Sequence, residues 1–91
     1  MKTVPVLQLS EANREAMKRH FLALEAEDLR LRFEHVICEV TLLKYVDAID
    51  FGRDAVFGVF DDTLELAGVA HLGLHGEIAE FGVSVVPGHR G

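Results

Sequence analysis

Apolar residues recur at helical spacing after Ser10, at Ala12, Ala16, Met17, Phe21 and Leu24, while Glu11, Arg14, Glu15, Lys18 and Arg19 fall mostly elsewhere. This pattern predicts an amphipathic helix with its apolar stripe on a core. A serine hydroxyl can accept from the free amides of a first helical turn, so Ser10 suits the N-cap, and Glu15 and Arg19 are spaced to pair one turn apart. Ahead of this helix, residues 3–9 alternate weakly and include Pro5, which lacks an amide donor and fits an edge strand or a strand start. In the segment EAEDLRLRF, acidic residues lead and arginines trail, the order that a short helix's dipole favours. The alternation of Leu29, Leu31 and Phe33 also fits an extended strand; the charge order makes the short helix our reading. Leu42, Val46 and Ile49 then form one stripe with Leu43 beside them, predicting a helix over residues 41–49 with Gly52 as its stop.

The last third changes period. Residues 55–60, 66–74 and 78–86 read as strands separated by DDT and HGE, both of hairpin length. Strand, helices and then an antiparallel meander make an α+β domain: a mostly antiparallel four-stranded sheet with the helices inserted after the first strand. Ninety-one residues fit one small domain, near the size at which stability is marginal and association helps.

Composition narrows the function. A hydrophobic content of 49% fits a globular chain, and a net charge of −6 argues against a nucleic acid or an anionic membrane as partner. The single cysteine, Cys38, cannot form an internal disulfide, so a reducing, cytoplasmic setting is expected. The N-terminus lacks the long apolar core of a signal peptide, and no apolar run reaches the ~20 residues that span a bilayer.

Candidate chemistry is sparse. Alternation puts Glu80, Gly82 and Ser84 on one face of the last strand and Ala79, Phe81, Val83 and Val85 on the other. The apolar set is expected to be core, leaving the Glu80 set as a thin face open to solvent or to a ligand. A glutamate beside apolar groups can have a raised pKa and act as a general base; a solvated strand glutamate is the plain alternative. His71 and His75 point the same way on one strand but lie ~13 Å apart, too far to share a zinc, so no metal site is expected. His20 is read as a boundary residue of the first helix, His35 has no recognisable partner, and Cys38 is expected to be a buried or partly buried thiol. There is no Ser-His-Asp spacing, P-loop or nucleotide-binding GxGxxG. The turn Pro87-Gly88-His89-Arg90-Gly91 could offer backbone amides to an anion, as a following helix N-terminus would, or be a simple chain end.

The element order together with AEFGVSVVPGHRG at residues 79–91 resembles the N-terminal half of the GNAT (Gcn5-related N-acetyltransferase) superfamily. The similarity is greatest to its bacterial protein lysine acetyltransferase-like branch, whose segments LRLRF at residues 29–33 and AEFGVSV at residues 79–85 resemble. Residues 1–91 would then be the N-terminal half of an acetyltransferase domain. The resemblance implies Glu80 as the general base that takes a proton from an amine attacking the thioester of acetyl-CoA. It implies Val85 and Val86 as backbone contacts of the pantetheine arm, and Arg90 and Gly91 as the start of the pyrophosphate loop. It also implies that the complete parent acetylates an amine, for instance a protein lysine, and that these residues alone bind acetyl-CoA poorly and are inactive. A homo-oligomer built on residues 78–86 is expected, and a small non-catalytic interaction or dimerisation module is the alternative function.

Overall fold

In the computed structural model, residues 5–34, 36–75 and 78–87 are described, and for residues 74, 75 and 78–80 the backbone alone. His35, Gly88, His89, Arg90 and Gly91 lie outside the described residues, as does the start of the expected first strand. The order is strand β1 (Leu7–Gln8), a 3-10 turn (Glu11–Asn13), helices α1 (Arg14–Leu22), α2 (Ala26–Phe33) and α3 (Glu39–Asp47), then strands β2 (Ala55–Phe60), β3 (Leu66–His75) and β4 (Ile78–Val85). The sheet runs β1-β2-β3-β4 with every pairing antiparallel. This is the expected α+β meander with helices after the first strand.

The first helical segment starts at Ser10, as expected, but as a 3-10 turn that becomes α-helical at Arg14. The Asn13 carboxamide oxygen accepts from the Ser10 amide (2.9 Å), tying the turn to its cap. The Glu15–Arg19 pair is replaced by two others. Glu15 faces Lys18 at 3.9 Å, and Arg19 reaches across to Glu65 at 2.9 Å. The EAEDLRLRF segment is helical, and it closes on Glu34 in the left-handed region (φ 66°).

Helix α3 ends before Ile49, and Gly52 is not its stop. Arg14 reaches across from α1 and donates to the carbonyls of Val46 (2.6 Å), Asp47 (3.1 Å) and Ile49 (3.2 Å), satisfying acceptors that an ending helix leaves open. Gly52 instead sits in the next turn, donating to the Asp50 carboxylate (2.9 Å).

The core lies between the helices and one sheet face. Met17, Phe21 and Leu24 of α1 meet Leu42 and Val46 of α3 with Ile49, over Leu9, Val56, Leu66 and Val69 of the sheet. On β4 the expected parity is reversed. Ser84 is buried and Gly82 lies under the side chain of Arg32 from α2, whereas Phe81 is 68% and Val83 53% exposed. The helices cover the side carrying the small residues because only there can helix side chains come close to the strand backbone. The bulkier apolar set faces outward.

Candidate functional site

A cleft of about 620 Å³ opens where α2 and α3 meet the centre of β3 and β4. Its walls include Arg32 and Phe33 of α2, Tyr45 of α3, Asp54 before β2, His71 and Gly73 of β3, and Gly82 of β4. The position comes from the pairing: His71 lies opposite Gly82, and Gly73 opposite Glu80. Gly73 brings no side chain to the cleft, and the lack of one at Gly82 lets the Arg32 guanidinium lie directly on the β4 backbone.

A hydrogen-bonded chain crosses this cleft. Arg32 Nη2 donates to Tyr45 Oη (2.8 Å). Tyr45 Oη is bonded to His71 Nδ1, and His71 Nε2 to Asp54 Oδ2 (2.9 Å). Arg53 Nε donates to the other oxygen of Asp54 (2.9 Å). The directions follow from the chemistry of each group. A carboxylate only accepts, so a neutral His71 carries its hydrogen on Nε2 and presents a bare Nδ1. The Tyr45 hydroxyl must then donate to Nδ1, leaving its lone pairs for the guanidinium. Burial pushes the Tyr45 phenol up to about 12, so it keeps that hydrogen at neutral pH. Asp54 is buried, held between an imidazole and a guanidinium.

Packing fixes the chain's inner end. The Phe33 and Tyr45 rings meet edge to face at 5.0 Å, and Phe21 contacts both from the core. The Arg32 guanidinium lies over the Phe33 ring (4.7 Å) and the Tyr45 ring (5.5 Å). It also covers Gly82 so closely that a Cβ there would fall 2.2 Å from Arg32 Cζ.

A second polar contact lies under β4. The His20 ring is buried; its Nδ1 lies 2.9 Å from the Leu66 carbonyl and its Nε2 2.7 Å from Ser84 Oγ. A carbonyl only accepts, so Nδ1–H donates and Ser84 donates to Nε2. Burial lowers the His20 pKa, with the Leu66 hydrogen bond opposing it. His20 is thus a core residue and not a boundary one.

Cys38 also departs from expectation. It is exposed, at the N-cap of α3. Hydrogen bonds from the Thr41 side chain and then the Thr41 amide lower its pKa.

Of the expected site residues, Glu80 pairs by its backbone with Gly73, a residue of the cleft lining, and stands two positions from Gly82; its side chain lies outside what is described. Val85 ends β4 opposite Gly68, and the Val86 amide donates to the Ala67 carbonyl (2.9 Å), which engages it in the sheet. Arg90 and Gly91 lie outside the described residues, as does the side chain of His75. Sequence reasoning missed Arg32, Tyr45, Asp54 and the role of His71. They come from α2, α3, β3 and the turn before β2, and only the polar identity of His71 on a strand hinted at it. Among the described residues, no cluster of three or more His, Cys, Asp or Glu side chains could hold a metal ion, and no helix is long and apolar enough to cross a membrane.

No family model and no curated protein matches the chain. Solved structures do. The chimera of spermidine N-acetyltransferase SpeG from Vibrio cholerae and hSSAT aligns over 99% of this chain and 54% of its own, with TM-score 0.51 and 21% identity. The spermidine/spermine N-acetyltransferase SpeG from Vibrio cholerae aligns over 97% of this chain and 51% of its own, with TM-score 0.51 and 20% identity. At that identity the likeness is one of fold, and the chain spans about half the length of those structures. The chain therefore adopts a partial GNAT-like α+β fold, with the cleft between α2, α3 and the β3–β4 pair as its candidate site.

Proposed function

We propose that these residues form the N-terminal half of an N-acetyltransferase domain and supply its acceptor-amine side. One observation supports the reading: Glu80 pairs with Gly73, and Gly73 and Gly82 both line the cleft. In the reaction, the amine nitrogen attacks the acetyl carbonyl of acetyl-CoA and the carbon–sulfur bond breaks. Glu80 takes the proton that the amine loses. Val85, Val86, Arg90 and Gly91 are the residues on this chain for the cofactor's pantetheine and pyrophosphate. The likeness to spermidine acetyltransferases supports an amine acceptor, and the resemblance of LRLRF and AEFGVSV to the lysine acetyltransferase-like branch extends the candidates to a protein lysine. The Asp54-His71-Tyr45 chain favours this over a purely structural module, because its half-buried His71 and Tyr45 line an open cleft where they can meet a ligand.

The test is release of the CoA thiol with a panel of amines. It is run on the 91-residue chain and on the same residues continued through the rest of an acetyltransferase domain. The longer protein should turn over and the 91-residue chain should not, since it holds only the first residues of the pyrophosphate loop. Glu80→Gln in the longer protein should lower turnover by ~10²–10⁴-fold, the usual contribution of general base assistance, while acetyl-CoA affinity is kept. Failure of every amine to release thiol would remove the proposal. Unchanged turnover in Glu80→Gln would make Glu80 an ordinary strand glutamate.

A further inference from the structure

From the Arg32 geometry we infer that the cleft takes a compact amine that also carries a carboxylate, bound through the Arg32 guanidinium, and not a polyamine. The inference rests on the proposed acceptor role of the cleft and names the acceptor's chemical class.

Arg32 is set up as an anion receptor. A guanidinium offers five N–H donors in a rigid plane. The Tyr45 hydroxyl takes one of them. No carboxylate partner for Arg32 occurs among the described residues, whereas Arg14, Arg19, Arg30 and Arg53 each pair with an acid. Arg32 is nonetheless held in place. Two aromatic rings lie within cation–π distance of it, and the Gly82 backbone lies beneath it where any side chain would push it away. The relay fixes the remaining freedom. Asp54 orients His71, His71 takes the Tyr45 hydrogen, and the Tyr45 lone pairs then face the guanidinium. A cation held this way loses little rotamer freedom when it binds an anion.

The charge around the cleft points the same way. The described acids in its lining are Glu34 and Asp54, and Asp54 is engaged by both Arg53 and His71. Arg32 and Arg53 match these two acids in number, so Glu80 is the one further acid that the proposed function places at the site, set for the acceptor amine. A polyamine needs several unpaired carboxylates along its length, while a fixed arginine repels it. The Arg32 guanidinium lies over Gly82, and Glu80 sits two residues along β4, roughly 7 Å away at the strand rise. With Glu80 as the base of the proposed function, an amine at Glu80 and a carboxylate on Arg32 fit one small amino acid.

The test measures binding to the 91-residue chain without any acetyl transfer. 4-Aminobutyrate, spermidine and Nα-acetyl-lysine amide, an amine without a carboxylate, are titrated while NMR follows the ring signals of Tyr45 and His71. Saturable shifts are expected with 4-aminobutyrate, with weaker responses to the other two. Arg32→Gln should weaken 4-aminobutyrate binding about 10–100-fold, the usual weight of hydrogen bonds to a charged group. Gly82→Ala should weaken it in the same direction by displacing the guanidinium. Arg32→Lys should lose part of the affinity, since the charge stays and the fork goes. Circular dichroism of each variant confirms that the fold is kept. Absence of saturable 4-aminobutyrate binding, tighter binding of spermidine or of the lysine amide, or an affinity indifferent to Arg32→Gln in a folded variant would each overturn the inference. Failure of the function leaves a different trace: a protein that binds 4-aminobutyrate through Arg32 but releases no thiol keeps the site and loses the acetyltransferase reading. One that acetylates only spermidine does the reverse.

Discussion

At the scale of single residues, His20 links fold stability to pH. Its ring is buried and neutral, donating to Leu66 and accepting from Ser84. Its folded pKa is lowered below the ordinary histidine value, chiefly by burial. Below about pH 6.5 the unfolded chain begins to take a proton on this histidine that the folded chain refuses. Protons bound by the unfolded state then exceed those bound by the native state, so stability falls as pH drops through that window and is complete above it. Thermal melting at pH 7.5 and at pH 5.5 should show the loss, and His20→Gln should reduce its slope. Ser84→Ala should cost about 1–3 kcal/mol, because it leaves the His20 Nε2 acceptor buried without a donor; denaturant melting measures it. Neither role was readable beforehand. His20 and Ser84 are 64 positions apart, and nothing local in the sequence marks them as partners.

At the scale of elements, the boundaries of β2, the existence of all three helices and the order of the meander were legible, since each depends on local periodicity and turn chemistry. The end of α3 was not, because Arg14 from a different helix supplies the cap. The burial parity of β4 was not either. Phe81 and Val83 look like core residues by type, but the helices pack on the side of Gly82 and Ser84. Alternation fixes which residues share a face, and tertiary packing decides which face is covered. The candidate site shares this split: Glu80 could be singled out from its strand, while the Arg32–Tyr45–His71–Asp54 chain exists only once α2, α3, β3 and the turn before β2 have met. Gly58 tests the packing of the covered face. A Cβ there would lie 2.7 Å from Leu66 Cδ2 and 2.9 Å from Leu9 Cδ1. Both leucines are core residues with little room to move. Gly58→Ala should destabilise the fold by about 1–3 kcal/mol, the range for overpacking, and urea denaturation of the variant checks this.

At the scale of the whole molecule, β4 is an outer strand of the four-stranded sheet. Natural edge strands are usually blunted by charge, proline or a bulge. Residues 81–86 carry no charge, and Pro87 comes only after them. The outward side of the same strand adds apolar area, with Phe81 and Val83 exposed and Phe57 of β2 partly so on the same sheet face. A small domain gains little by leaving an outer strand and an apolar face in water. Antiparallel pairing of β4 with its copy, about a two-fold axis, would bring the two exposed apolar faces around Phe81 and Val83 into one continuous sheet. We therefore expect the 91-residue chain to be a homodimer or higher oligomer, with the contact built on residues 78–86. Phe81→Lys and Val83→Lys place charge on side chains that the folded protomer already exposes, so they should weaken association without unfolding the domain. Sedimentation velocity of the chain and of the double variant, across low to high micromolar concentration, measures this directly. A monomer throughout, or an oligomer that both lysines leave unchanged, would show that this edge is not the contact.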